Sequence, residues 1–161
     1  MICTILAAVD GSPCGRVAGQ YASFLASRLN AGVDALTVID IRPLEGPMLR
    51  DFTAHLGLEP FEAYTQALRD VLGQHAEEVL EQFREDAKLQ GLDASRIASL
   101  TEVGIVPETV CRRATRTDLA VLGQFGEYRG AAGGLLGPTS EQVVRRATRP
   151  VMVCPEQFLD R

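Results

Sequence analysis

Apolar residues follow two alternating patterns along this chain. Residues 2–9 form a nearly continuous apolar run, which is typical of a strand buried on both faces of a parallel sheet. Apolar residues at helical spacing follow the run, namely Val17, Tyr21, Leu25 and Leu29. The same succession of patterns continues to the end of the chain. The predicted strands are residues 2–9, 33–41, 96–103, 119–122 and 151–154.

Local capping signals indicate where helices lie between these strands. Ser12 suits an N-cap and Pro13 the first helical position, and the Asn30-Ala31-Gly32 sequence suits the end of the same helix. A later, much longer amphipathic pattern carries His75 on its apolar stripe, which predicts a core or boundary position for this histidine. Helices are predicted over residues 13–29 and 61–87, from Pro107 onwards, and over 138–147.

This alternation of strands and helices predicts a single α/β domain over residues 1–161, with an open parallel sheet and helices on both of its faces. Ligands of such sheets bind beyond the carboxyl ends of the strands, where the strand order reverses. Asp10, residues 38–40 and residues 123–126 follow the first, second and fourth strands. They converge on one crevice if the first and fourth strands are neighbours.

Residues 42–60 interrupt the alternation. They contain three prolines and two glycines and show no sustained period, although residues 49–56 could form a short helix. We expect a long excursion between the second strand and the second helix. Such a segment is either functional or a tolerated insertion.

Charge and composition exclude several classes of protein. The net charge of -5 argues against nucleic-acid binding, because neutralising phosphates requires clustered Lys and Arg. No apolar run reaches membrane-spanning length and the first residues do not resemble a secretory signal, so we expect a cytoplasmic protein without a membrane segment. The four cysteines lack the spacing of a metal site and are interpreted as small core residues, with Cys14 as a candidate reactive thiol at a helix start.

A glycine-rich stretch after the fourth predicted strand is the strongest candidate site. Gly123 and Gly126 are followed, after ten intervening residues, by Gly137 and the start of a helix. Glycines allow a backbone to approach a ligand closely, and the unpaired amides at a helix start favour an anion. The stretch is therefore either a phosphate cradle or a surface loop without a ligand.

Several separated motifs together resemble the universal stress proteins. The resemblance implies an adenine nucleotide α-hydrolase-like sheet of five parallel strands in the order 3-2-1-4-5, and a homodimer formed through Val151–Cys154. It also implies that some members bind ATP through G-x2-G-x9-G followed by Ser or Thr. The matching segments are Val9-Asp10-Gly11-Ser12, residues 36–40, Gly104 with Glu108 and Val110, residues 118–123, Ser140-Glu141-Gln142-Val143, and residues 149–153.

This chain departs from the ATP-binding pattern at two points. Ten residues, not nine, separate Gly126 from Gly137, and Pro138 occupies the Ser or Thr position. Proline has neither an amide hydrogen nor a hydroxyl, so one phosphate donor is lost. We expect the amides and hydroxyls of Thr139 and Ser140 to take its place.

The resemblance completes the predicted site. Asp10 and Val38 match positions that line the adenine and ribose pocket, with Val38 contributing mainly backbone contacts. Within the loop, Arg129 could offset the negative charge of Glu141. The predicted nucleotide-binding residues are Asp10, Val38, Gly123, Gly126, Arg129, Gly137, Thr139 and Ser140, and neither a catalytic residue nor a metal cluster is predicted.

The leading hypothesis is a stress-response protein that binds ATP or a related adenine nucleotide, with or without magnesium, as a regulatory ligand. Hydrolysis is expected to be slow at most, because no general base is poised beside a phosphate. The alternative is a nucleotide-free dimeric interaction protein of the same fold. An enzyme of the nucleotide α-hydrolase type is the weakest hypothesis, since only Asp10-Gly11-Ser12 stands where that class carries a serine- and glycine-rich loop.

Overall fold

Five parallel strands form one sheet in the computed structural model, which describes residues 1–40, 61–126 and 134–159. The strand order is β3-β2-β1-β4-β5, and every pairing is parallel. The predicted five-stranded sheet and its order are therefore confirmed. The strands are β1 (Thr4–Ala8), β2 (Gly32–Asp40), β3 (Ile97–Gly104), β4 (Leu119–Gly123) and β5 (Val151–Cys154).

Four helices connect the strands and cover both faces of the sheet. Helices α1 and α2 contribute to the core on one face, and α3 and α4 to the core on the other. Both halves of the sheet are built with right-handed crossovers. The sheet extends from β1 to β2 and β3 on one side and to β4 and β5 on the other, so the helices of the two halves lie on opposite faces. The helices are α1 (Pro13–Leu29), α2 (Phe61–Leu89), α3 (Val106–Ala114) and α4 (Pro138–Arg146), and a 3-10 turn (Ala94–Arg96) precedes β3.

Local sequence signals fix the ends of α1. The Ser12 side chain accepts a hydrogen bond from the amide of Gly15, as expected of an N-cap. Asn30 closes the helix in the left-handed conformation with φ 55°. The predicted helix is confirmed at both ends, because each boundary depends only on neighbouring residues.

Side chains of β1 alternate between two hydrophobic cores. Ile5 and Ala7 pack into the core shared with α1 and α2, whereas Leu6 packs into the core shared with α3 and α4. All three are completely buried. The nearly continuous apolar run at the start of the chain therefore reflects a central strand covered on both faces.

Two of the four cysteines occupy the core, as predicted. Cys14 and Cys154 are buried, and burial raises the pKa of the Cys154 thiol to about 12. The core prediction is wrong for Cys3, which is exposed, and Cys111 is only half-buried.

His75 is also exposed, because the buried stripe of α2 runs through its neighbour Ala76.

The segment 42–60, with its expected short helix at 49–56, lies outside the described residues. Within the described ranges, no helix is both long and apolar enough to cross a membrane.

Candidate functional site

The candidate site lies at the carboxyl ends of β1, β2 and β4. Strand β1 pairs with β2 on one side and with β4 on the other, so the strand order reverses at β1. The adjacency on which the predicted crevice depended is therefore present. Asp10 follows β1, Val38 lies near the end of β2, and Gly123 is the last residue of β4.

Asp10 is held in place by the turn that leads into α1. Its Oδ1 atom accepts hydrogen bonds from the Ser12 amide at 3.1 Å and from the Ser12 hydroxyl at 2.6 Å. Gly11 supports this turn with φ 82°, a conformation that residues with a side chain rarely adopt. The carboxylate therefore has one oxygen fixed by Ser12 before any ligand arrives.

The turn after β4 meets Asp10 directly. A Cβ atom at Gly126 would lie only 2.9 Å from Asp10 Oδ2. The Ser12 hydroxyl also lies 3.3 Å from the carbonyl oxygen of Phe125. Two segments more than a hundred residues apart thus meet at the carboxyl end of the sheet, and the absence of a side chain at Gly126 makes their approach possible.

Gly15 is a site residue that the sequence did not single out. A Cβ atom at Gly15 would lie 2.3 Å from Asp10 Oδ1, so the carboxylate occupies the space that a side chain would need. The only sequence signal is a glycine in the first turn of a predicted helix, where it is usually unfavourable. The need for a glycine at this position becomes apparent only in the folded structure, where Asp10 after β1 lies against the first turn of α1.

Gly123 and Gly137 have packing roles in addition to any contact with a ligand. A Cβ atom at Gly123 would lie 2.7 Å from the carbonyl carbon of Cys14, at the start of α1. The Gly137 amide donates a hydrogen bond to the carbonyl oxygen of Gln124 at 2.8 Å. These two glycines therefore join the end of β4 to the helices on either face of the sheet.

The start of α4 carries two backbone amides that have no acceptor within the helix. Gly137 is the N-cap and Pro138 the first helical residue, so the missing proline amide costs the helix no hydrogen bond. The first amide with a helical acceptor is that of Glu141, which donates to Gly137 O at 2.9 Å. The amides of Thr139 and Ser140 precede it and have no acceptor within the helix.

Ser140 is buried and its hydroxyl is already engaged. Ser140 Oγ donates a hydrogen bond to the carbonyl oxygen of Gly123 at 2.7 Å. A hydroxyl has a single hydrogen to donate, so in this arrangement the Ser140 side chain has none left for a phosphate. Thr139 is half-buried, and its hydroxyl and the two backbone amides are the donors that remain at this helix start.

An ion pair between Glu141 and Arg145 reduces the negative charge near the start of α4. Glu141 lies in the first turn of α4, where its charge would repel an anion facing the amides. Arg145 pairs with Glu141 one turn later, at 2.8 Å. Arg129, which was expected to offset this charge, lies outside the described residues.

The remaining predicted site residue is Val38. It is half-buried and packs against the core on the α3 and α4 face of the sheet. Among the described residues, no group of three or more His, Cys, Asp or Glu side chains could hold a metal ion.

Comparison with known proteins gives a consistent result. The model of the universal stress protein family matches residues 1–155. The universal stress protein Slr1230 of Synechocystis is 27% identical over 96% of this chain and 55% of its own length. The chain spans about half the length of the curated relatives that it matches.

Solved structures share the fold over nearly the whole chain. UspA from Lactobacillus plantarum is 25% identical with a TM-score of 0.76, and the match covers 95% of this chain and 97% of UspA. A universal stress protein in complex with cAMP has 21% identity and a TM-score of 0.65 over 97% and 98% of the two chains. The universal stress protein from Archaeoglobus fulgidus in complex with dAMP has 14% identity and a TM-score of 0.62 over 96% and 98%. With a family match over nearly its full length and this fold, the chain belongs to the universal stress protein family.

Proposed function

We propose that this protein binds ATP or a related adenine nucleotide as a regulatory ligand in the crevice between the turns that follow β1 and β4. The observation that carries the proposal is the approach of Gly126 to Asp10, where a Cβ atom would lie 2.9 Å from the carboxylate. This approach unites the acidic residue after β1 with the glycine-rich turn after β4. The crevice occupies the position at which open α/β sheets bind their ligands.

The chemistry of the crevice suits the two ends of a nucleotide. Asp10 Oδ2 can accept a hydrogen bond from a ribose hydroxyl or an adenine amino group, and Val38 offers backbone groups from β2. The Thr139 and Ser140 amides at the start of α4 suit a phosphate, because helix starts favour negative charge. The cAMP and dAMP complexes of related proteins support an adenine nucleotide as the ligand class.

We expect hydrolysis to be slow at most. Asp10 Oδ1 is occupied by two hydrogen bonds from Ser12, which suits a positioning role better than proton abstraction. The ligand would then act by binding. Arg129, which lies outside the described residues, completes a site formed by Asp10, Val38, Gly123, Gly126, Gly137, Thr139 and Ser140.

Replacing Gly126 with valine is expected to weaken nucleotide binding by at least about tenfold, because the new side chain would fill the space beside Asp10. Calorimetric titration with ATP, AMP and cAMP, each with and without magnesium, measures the effect. Gly73→Val is the matched control, since no atom lies within 4 Å of the position of its Cβ. The proposal is wrong if the unchanged protein binds none of these nucleotides at millimolar concentration, or if both variants bind equally well.

A nucleotide-free interaction protein is the second candidate. It is favoured by the Ser140 hydroxyl, which donates to Gly123, and by Pro138, which has no amide hydrogen. Nucleotide released by heating freshly purified protein and measured by chromatography distinguishes the two functions. A stoichiometric amount of adenine nucleotide would exclude this second candidate.

The edge strand β5 is the proposed dimer interface. Val151, Met152 and Val153 are only half-buried in the single chain, and an apolar edge strand favours association with a second copy. Val153→Lys is expected to convert a dimer to a monomer, because it places a charge on this edge. Sedimentation equilibrium checks the result, and an unchanged dimer would assign the interface to another surface.

A further inference from the structure

A cavity of about 230 Å³ lies between α1 and α2, beside the turn that follows β1. Its apolar lining includes Val9, Val79 and Phe83, all of which are buried. An apolar cavity of about 150 Å³ is already large enough to bind benzene. The space is therefore sufficient for a single aromatic ring with a small substituent.

Gly19 gives the cavity its shape. A Cβ atom at Gly19 would lie 2.9 Å from Phe83 Cδ2, so the Phe83 ring rests against the backbone of α1. The two helices are thereby held at a fixed separation by an aromatic ring. This packing creates the apolar part of the cavity. An aromatic ligand bound there would contact the Phe83 ring.

One strip of α2 provides the polar side of the cavity. His75, Glu78, Gln82 and Asp86 recur at intervals of three or four residues and all line it. This strip runs beside the buried apolar stripe of the same helix. The cavity consequently combines an apolar floor with a small number of polar groups, which is typical of sites for small molecules.

An ion pair fixes one end of this polar strip. Arg16 donates to both carboxylate oxygens of Asp86, through Nε at 2.7 Å and through Nη2 at 3.0 Å. Gln82 donates a third hydrogen bond to Asp86 Oδ1 at 3.1 Å. Such a bidentate pair has a defined geometry and presents its remaining polar atoms in fixed directions.

The balance of charge selects among ligands of this size. The lining contains two carboxylates, those of Glu78 and Asp86, and one guanidinium, that of Arg16. An anionic ligand would meet a net repulsion, whereas an amino or hydroxyl group could donate to the carboxylates. We propose that this cavity binds a small single-ring molecule that carries an amino or hydroxyl group. The proposal does not depend on nucleotide binding.

Three single-ring probes that differ in charge test the proposal. Benzylamine, benzyl alcohol and benzoate are titrated to millimolar concentration at about pH 8, above the range in which histidine usually carries charge. The shifts of the Gly11 and Gly19 amide resonances are followed by NMR. We expect saturable shifts with the amine and the alcohol, and at least about tenfold weaker binding of benzoate. The Gly126 amide should shift less than Gly11 and Gly19, which separates this cavity from the nucleotide crevice.

Variants on α2 connect the shifts to the cavity. Val79→Phe fills the space and should abolish saturation, whereas Val71→Phe places the same ring at an exposed position on the same helix and should leave binding unchanged. Should Val79→Phe fail to fold, Glu78→Gln is the decisive variant, because Glu78 is exposed. It should reduce the preference for benzylamine over benzoate, and Glu77→Gln, which lies outside the lining, should not.

The proposal is overturned by any of three results. These are an absence of saturable shifts at Gly11 and Gly19, equal binding of benzoate and benzylamine, and a preference for benzylamine that Glu78→Gln leaves unchanged.

Discussion

Gly123→Ala is expected to destabilise the protein by about 3 kcal/mol, although it adds a single methyl group. The added Cβ would lie 2.7 Å from the carbonyl carbon and from the Cβ of Cys14, and 2.8 Å from the Gly15 amide nitrogen. Two of these three atoms belong to the backbone, so a change of rotamer cannot relieve the contact. Helix α1 must move away from β4, and the packing between them is lost.

Urea unfolding at a fixed protein concentration measures this effect, because association would otherwise contribute to the apparent stability. Gly32→Ala is the matched control at the start of β2. Its Cβ would meet no atom closer than 3.6 Å, so we expect a change within about 0.5 kcal/mol. Equal stability of the two variants would mean that α1 and β4 do not pack as closely as described.

The ion pair between Arg16 and Asp86 is expected to respond unequally to the loss of each partner. The Asp86 side chain is 10% exposed, whereas that of Arg16 is 56% exposed. Arg16→Met leaves a nearly buried carboxylate with Gln82 as its remaining donor among the contacts described, which should cost about 3 kcal/mol. Asp86→Asn leaves a guanidinium that can turn towards water, which should cost about 1 kcal/mol.

The double variant Arg16→Met with Asp86→Leu completes the comparison. Replacing a buried ion pair by apolar side chains is often neutral, so we expect the double variant to recover most of the stability lost in Arg16→Met. Free energies of unfolding for all four proteins provide the test. Equal losses in the two single variants would contradict the unequal burial of the partners.

Much of the fold could be predicted because its determinants are local. Ser12 and Pro13 mark the start of α1 by their own conformational preferences, and the continuous apolar run through Ile5 and Leu6 indicates a strand covered on both sides. The meeting of Asp10 with the turn at Gly126 was also predictable, since strand ends converge where the order of a parallel sheet reverses.

The details that remained unpredictable depend on contacts between distant segments. The Ser140 hydroxyl was expected at a phosphate, but it donates to Gly123 because α4 packs against the end of β4. Arg16 and Asp86 lie 70 residues apart, and neither sequence neighbourhood reveals the other. The exposure of His75 could not be resolved by periodicity, because His75 and Ala76 both precede Val79 at helical spacing and Ala76 takes the buried position.

The hydrogen bond from the Gly137 amide to Gln124 O closes the intervening segment at its base. This hydrogen bond and the one from the Ser140 hydroxyl to Gly123 O set the position of α4 relative to β4. The number of residues between Gly126 and Gly137 does not. Lengthening the stretch between Gly126 and Gly137 from nine to ten residues costs only about 0.1 kcal/mol in closure entropy. Length in this segment is therefore nearly neutral for the framework of the crevice, and evolution can vary it independently of the sheet.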